Sequence, residues 1–138
     1  MTAHVPMRLA AVAVAAAMVL GGCGAGPSPS PSAVRPSSPA KITILSPTAG
    51  ATVQGASVHI VLSLTGARIV KQTTTNIRPD EGHVHLYVDG VLVSMNYGLE
   101  QDLPVHPGTY VLKAEFVASD HAPFNPRVWS EQTIFTVK

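Results

Sequence analysis

Six histidines in 138 residues carry most of the chemistry this chain can offer, and three of them form a pattern. His83 and His85 stand two apart in Gly82-His83-Val84-His85-Leu86. On a strand, such residues share a face with Cβ atoms about 7 Å apart, so two imidazoles can aim at one point. His121 lies in the later run Asp120-His121-Ala122-Pro123. Three neutral imidazoles suit Zn(II) or Cu(II), which makes His83, His85 and His121 the candidate ligands for copper or zinc. Asp120 is the candidate acceptor that would hold an imidazole in its ligating tautomer. A plainer reading competes with this one: polar histidines on a solvent-facing sheet, with Asp120 and His121 capping a loop, and short motifs of this kind often arise by chance. Ser94 opposite His85 invites a nucleophile and base, but a flat strand pair offers no oxyanion hole and no orienting acid, so no enzymatic activity is expected.

Composition narrows the setting of these residues. Nine Lys plus Arg against eight Asp plus Glu give a net charge of +1, without the basic surplus that a phosphate backbone demands, so no nucleic-acid partner is expected. One cysteine rules out an intramolecular disulfide and a Cys-rich zinc module. The length suits one domain of ordinary size.

The first third reads as targeting and tether. Arg8 precedes the twelve apolar residues Leu9 to Leu20, too short to span a bilayer, and small residues follow at Gly21-Gly22-Cys23. Residues 1–22 are thus expected to be a signal peptide, with Met1 or Met7 as its start. Leu20-Gly21-Gly22-Cys23 resembles the lipobox of bacterial lipoproteins, and the resemblance implies cleavage before Cys23 and acylation of its thiol. The membrane, reached through lipid on Cys23, is the partner this implies, with the protein on the extracytoplasmic face. Residues 23–40 hold the lipidated cysteine and a Pro/Ser-rich run expected to be a disordered, extended stalk.

From residue 41 to 138, apolar residues alternate in short runs broken by Gly, Pro, Asn and Asp. This predicts an all-β fold: an Ig-like or fibronectin-like antiparallel sandwich of about seven strands. Strands are expected at Ile42–Leu45, Ser57–Thr65, Tyr110–Val117 and about Trp129–Val137, with residues 66–81 left open. The clearest signal is Asp89-Gly90 between two alternating runs, a type I′ hairpin turn. A two-residue loop pairs Val88 with Val91, Leu86 with Val93 and Val84 with Met95, which makes all six core residues. Met95 is then no metal ligand, and with no Cys or Met among the histidines Cu(I) is disfavoured. The opposite face carries His83, His85 and Tyr87, with Leu92 beside Tyr87 as a candidate protein-binding patch. In an Ig-like strand order His121 follows the sixth strand and returns to the end where His83 begins the third, so Asp80, Glu81 and Asp120 should gather there and His106 at the opposite end. Tyr110, after Pro107-Gly108, is placed to bond back to the preceding corner. His59 reads as an exposed strand residue.

The Gly82-His83-Val84-His85-Leu86 strand, Pro107-Gly108 and the Asp120-His121-Ala122-Pro123 loop together resemble an uncharacterised family of secreted bacterial Ig-like domains with a Gly-His-His-His-Leu strand and a His-x-Pro-His-x-Pro loop. Val84 and Phe124 replace two of that pattern's histidines, and the family implies no activity. The leading expectation is therefore a membrane-anchored lipoprotein displaying one Ig-like interaction domain to an envelope or extracellular protein. The alternative is a Cu(II)- or Zn(II)-binding envelope protein.

Overall fold

The computed structural model describes residues 34–138; the stretch expected to be a signal peptide, Cys23 and most of the Pro/Ser run lie outside the described residues. The elements are β1 (Lys41–Ser46), β2 (Thr52–Val53), β3 (Ser57–Thr65), β4 (Arg68–Ile69), β5 (Glu81–Val88), β6 (Val91–Asn96), β7 (Glu100–Pro104), β8 (Gly108–Ala118), β9 (Pro123–Trp129) and β10 (Thr133–Val137). They form two sheets, β1-β3-β7 and β2-β10-β8-β5-β4, with β6 also on β5 and β9 also on β8. Because β8 occupies one edge of β5, the short β4 and β6 share its other edge in succession, and β9 and β10 likewise share β8's second edge. Setting aside the two-residue β2 and β4 and joining β9 to β10 leaves the seven strands of an antiparallel sandwich.

The inner faces supply the core: Ile42, Val58, Ile60 and Leu62 from one sheet meet Val84, Leu86, Leu112, Ala114, Phe116, Phe135 and Val137 from the other. Each fully buried side chain of this size contributes about 1.5–3 kcal/mol, and Phe116 stacks on Phe124 at 5.7 Å to close the end nearest the histidines. At the opposite end the Tyr110 hydroxyl donates to the His106 carbonyl at 2.8 Å and accepts the His106 N–H at 3.1 Å, the corner expected from Pro107-Gly108-Thr109-Tyr110.

Two expectations are corrected. The domain begins before position 41. Ala40 is a core residue, the Pro36 carbonyl accepts the Asn125 N–H at 3.0 Å, and Arg35 is bound to the β8–β9 turn, so the segment just before β1 is docked rather than stalk. The hairpin register also differs. Asp89 and Gly90 take the positive φ of a type I′ turn, 50° and 80°, and Val88 pairs with Val91. A bulge then intervenes: Tyr87 pairs with Leu92, Leu86 with Ser94 and His85 with Met95, leaving Val93 as the extra residue. Val91, Val93 and Met95 are 64%, 42% and 55% exposed and are not core. The physical reason is that β6 is an edge strand with no buried face, so its apolar residues have no core to hold them in step and a one-residue slip costs little.

The pairing of β5 with β8 sets the depth at which the histidines lie. Gly82 faces Ala118 across the ladder, and a Cβ on Gly82 would stand 1.9 Å from the Val117 carbonyl oxygen and 3.0 Å from Phe116 Cζ. Only glycine allows this approach. Gly82→Ala is therefore expected to destabilise the domain by about 3 kcal/mol, since neither a backbone carbonyl nor a core ring can yield easily. Urea denaturation checks this, and a variant within about 0.5 kcal/mol of the parent would show that the two strands are not so closely held.

Candidate metal centre

His83 and His85 leave the outer face of β5, and that face is not open to solvent: they are 1% and 5% exposed. The expectation of a solvent-facing sheet fails because other parts of the chain cover it at this end. The β8–β9 turn brings His121 over the strand, with ring centroids 4.2 Å apart for His83–His121 and 5.0 Å for His83–His85. Tyr97, just past β6, closes a further side at 5.1 Å from the His83 ring.

The nitrogens converge. His83 Nε2 lies 3.1 Å from His85 Nε2 and 2.9 Å from His121 Nδ1, and one ligand atom from each residue falls within 4.8 Å of the others. A tetrahedral ion with bonds near 2.0–2.1 Å sets its ligand atoms about 3.3 Å apart, so the two separations from His83 Nε2 are close to those of a coordination shell, while His85 and His121, with ring centroids 6.0 Å apart, would draw together around an ion. Hydrogen bonding does not account for it equally well. A neutral imidazole nitrogen has one in-plane lone pair or one N–H, so His83 Nε2 can satisfy one of its two neighbours and not both. A cation at the point of convergence could accept all three lone pairs at once.

The backbone at His121 is unusual and is held in place. Its φ is +66°, a left-handed conformation uncommon outside glycine and more tolerated by His than by most residues. Its N–H donates to the Ala118 carbonyl at 2.9 Å. Arg35 then staples the turn: its guanidinium donates to both Asp120 carboxylate oxygens at 2.6 and 2.9 Å, and to the Ala122 and Pro123 carbonyls at 2.9 Å each. The sequence reading missed Arg35, because nothing in an apparent stalk marks a residue as returning to a loop 85 positions away.

This arrangement corrects the role expected of Asp120. Its carboxylate is occupied by Arg35 and by the Ala122 N–H at 3.1 Å, and it orders the turn rather than an imidazole. The Arg35 guanidinium holds the Asp120 carboxyl below the usual carboxylate range. The contact to the second nitrogen of His121 comes instead from Thr73, whose Oγ1 lies 3.3 Å from Nε2. With Nε2–H donating to that hydroxyl, Nδ1 presents its lone pair to the centre. Asp80 and Glu81 do not join the cluster either, since Arg78 faces both and Arg68 also binds Glu81. His59, exposed on β3, pairs with Asp102 at 2.9 Å.

Beside the centre lies a charged network that sequence alternation placed only as far as its face. Glu115 pairs with His85 across the ladder and is 1% exposed, with Arg127 donating to both its carboxylate oxygens at 2.6 and 2.8 Å and the Tyr87 hydroxyl donating at 3.1 Å. Lys113 and Arg127 each sit 4.5 Å from the Trp129 ring centre, and Tyr87 meets Trp129 edge-on. Tyr87 and Leu92 are cross-strand partners on this face, as the patch reading requires, but the Tyr87 hydroxyl is committed to Glu115.

Burial pushes the His83 imidazole down to about 4, with the neighbouring His121 and His85 adding to the effect. Burial also lowers His85, against an opposing pull from Glu115. Both are neutral at neutral pH, the form a metal needs. A folded-state value of about 4 against about 6.5 in the unfolded chain means the unfolded state binds more protons between those limits, so stability falls as pH drops through that window. For the metal-free protein, His83 is expected to cost about 2 kcal/mol between about pH 7 and about pH 5, above the range where carboxylates titrate. Urea titrations across that interval measure it, and a flat profile would contradict the burial.

No family model matches the chain, and no curated protein does. Among solved structures, the fold is similar to one described as fibronectin(III)-like modules of CbhA from Clostridium thermocellum, with a TM-score of 0.50 and 26% identity over 70% of this chain. The match spans 45% of that longer chain. The domain is thus an all-β sandwich of fibronectin-like build, an architecture typical of interaction modules.

Proposed function

We propose that this protein is a lipid-anchored extracytoplasmic lipoprotein whose fibronectin-like domain binds one divalent transition-metal ion through His83, His85 and His121. The convergence of three imidazole nitrogens around one point, two of them on buried residues, carries the reading. Nitrogen donors select Zn(II) or Cu(II) over the hard ions, and the covered setting keeps the β5 imidazoles neutral and close together. The lipobox-like Leu20-Gly21-Gly22-Cys23 supports the anchor. Fibronectin-like modules commonly present surfaces to other macromolecules, and the exposed Leu92 beside Tyr87 favours a second reading as a protein-binding module of the envelope. The likeness of the Gly82–Leu86 strand to secreted bacterial Ig-like domains fits either reading.

Calorimetric titration with Zn(II) and Cu(II) tests the site. One ion per chain is expected for the parent protein. His85→Ala should lose at least about a hundredfold in affinity, and Arg35→Ala should lose about tenfold by loosening the turn that presents His121, as supports around metal ligands typically do. His106→Ala should bind as the parent. Equal binding by parent and His85→Ala, or none by either, ends the metal reading and leaves the protein-binding one.

The anchor has its own test. The protein should partition with membranes and carry acyl chains on Cys23, and Cys23→Ala should leave the precursor unprocessed or release the domain. A wild-type protein recovered wholly soluble, with its leader cut at another site, would refute the anchor.

A further inference from the structure

The bulge in the β5–β6 hairpin has a chemical consequence, because it decides which β6 side chain meets His85. His85 and Met95 are direct cross-strand partners, so they stand on the same face of the sheet. Extending that register by two residues sets Tyr97 opposite His83, and the observed 5.1 Å between those rings agrees with it. Directly opposed Cβ atoms lie about 4.5–5.5 Å apart, within reach of a side chain with three rotatable bonds and a polarisable sulfur. Met95 is 55% exposed, so core packing does not explain a methionine there.

The two neighbours of His85 across the ladder differ in what they can donate. On the β8 side, the carboxylate of Glu115 is occupied on both oxygens by Arg127 and further bound by Tyr87. A hard oxygen donor is thereby withheld from the centre. On the β6 side stands a thioether, a soft donor.

We infer that Met95 is the fourth ligand of the His83–His85–His121 centre, and that the site therefore takes Cu(I) as well as a divalent ion. This rests on the metal reading above and extends it to the identity of the ion. Three imidazoles and a thioether complete a tetrahedral shell, and soft sulfur ligands select Cu(I) over Zn(II), for which the thioether adds little. The inference reverses the expectation that methionine belongs to the core and that Cu(I) is disfavoured.

The test uses the full chain in detergent with Cys23→Ser, so that no thiol competes for the ion. Affinities for Cu(I), under reducing anaerobic conditions, and for Zn(II) are measured by competition against chelators of known strength, in this background and with Met95→Leu or His85→Ala added. Met95→Leu, which keeps the size and apolar character of the side chain, should weaken Cu(I) at least about tenfold and leave Zn(II) within about twofold. His85→Ala should weaken both. X-ray absorption of the Cu(I) form should show one sulfur scatterer at about 2.3 Å, absent in Met95→Leu. Unchanged Cu(I) affinity in Met95→Leu, or an equal loss for both ions, overturns the inference while leaving a histidine metal site in place. If the parent background binds neither ion, the metal reading falls and the inference with it.

Discussion

The candidate centre depends on how closely β5 and β8 approach at Gly82. With no Cβ there, the strand runs against the Val117 carbonyl, and His83 emerges beside the last residues of β8. The chain leaving β8 must turn at once to form β9, and that turn carries His121 in a left-handed conformation directly above His83. A wider strand separation would move the turn away from the histidine pair. The arrangement therefore derives from a backbone contact, and the imidazoles inherit their positions from it.

Burial makes the arrangement useful for metal chemistry. Three imidazoles pressed together in water would protonate and repel as pH falls, but here the two on β5 are covered and held neutral. Covering them leaves nitrogens that cannot all be satisfied by one another, since His83 Nε2 faces two neighbours with one site. The proposed metal ion would resolve that conflict. The Arg35 staple has the same sense, because a left-handed non-glycine residue persists only when its surroundings hold it there.

Much of the scaffold could be read from residue patterns, and the reasons for success and failure are physical. Turn chemistry at Asp89-Gly90, the alternation of β3 and β8, and the corner at Tyr110 are local signals backed by a buried face, and each appears in the structure. The convergence of His83, His85 and His121 followed from the two-residue spacing of the first pair on one strand face and from the strand order that returns His121 to it. What was not legible depends on contacts between segments distant in sequence. Arg35 binds a loop across the fold, Thr73 comes from a stretch with no periodic pattern, and Asp120 looked like a partner for His121 only while its bond to Arg35 was unknown.

The register of β6 shows the limit most clearly. Val91, Leu92, Val93 and Met95 read as a half-buried strand, yet apolar alternation specifies a register only when one face is buried, and here neither is. With the core silent, the hairpin takes up a bulge next to the turn, where edge strands commonly place them. One extra residue exchanges every later pairing on the strand. It moves Met95 from opposite Val84, where it would have been filler, to opposite His85, on the face of the sheet that carries the histidines. A displacement that costs the fold little thus sets Met95, in place of Ser94, across the ladder from His85, and for the proposed centre ligand type is what separates copper in its reduced state from zinc.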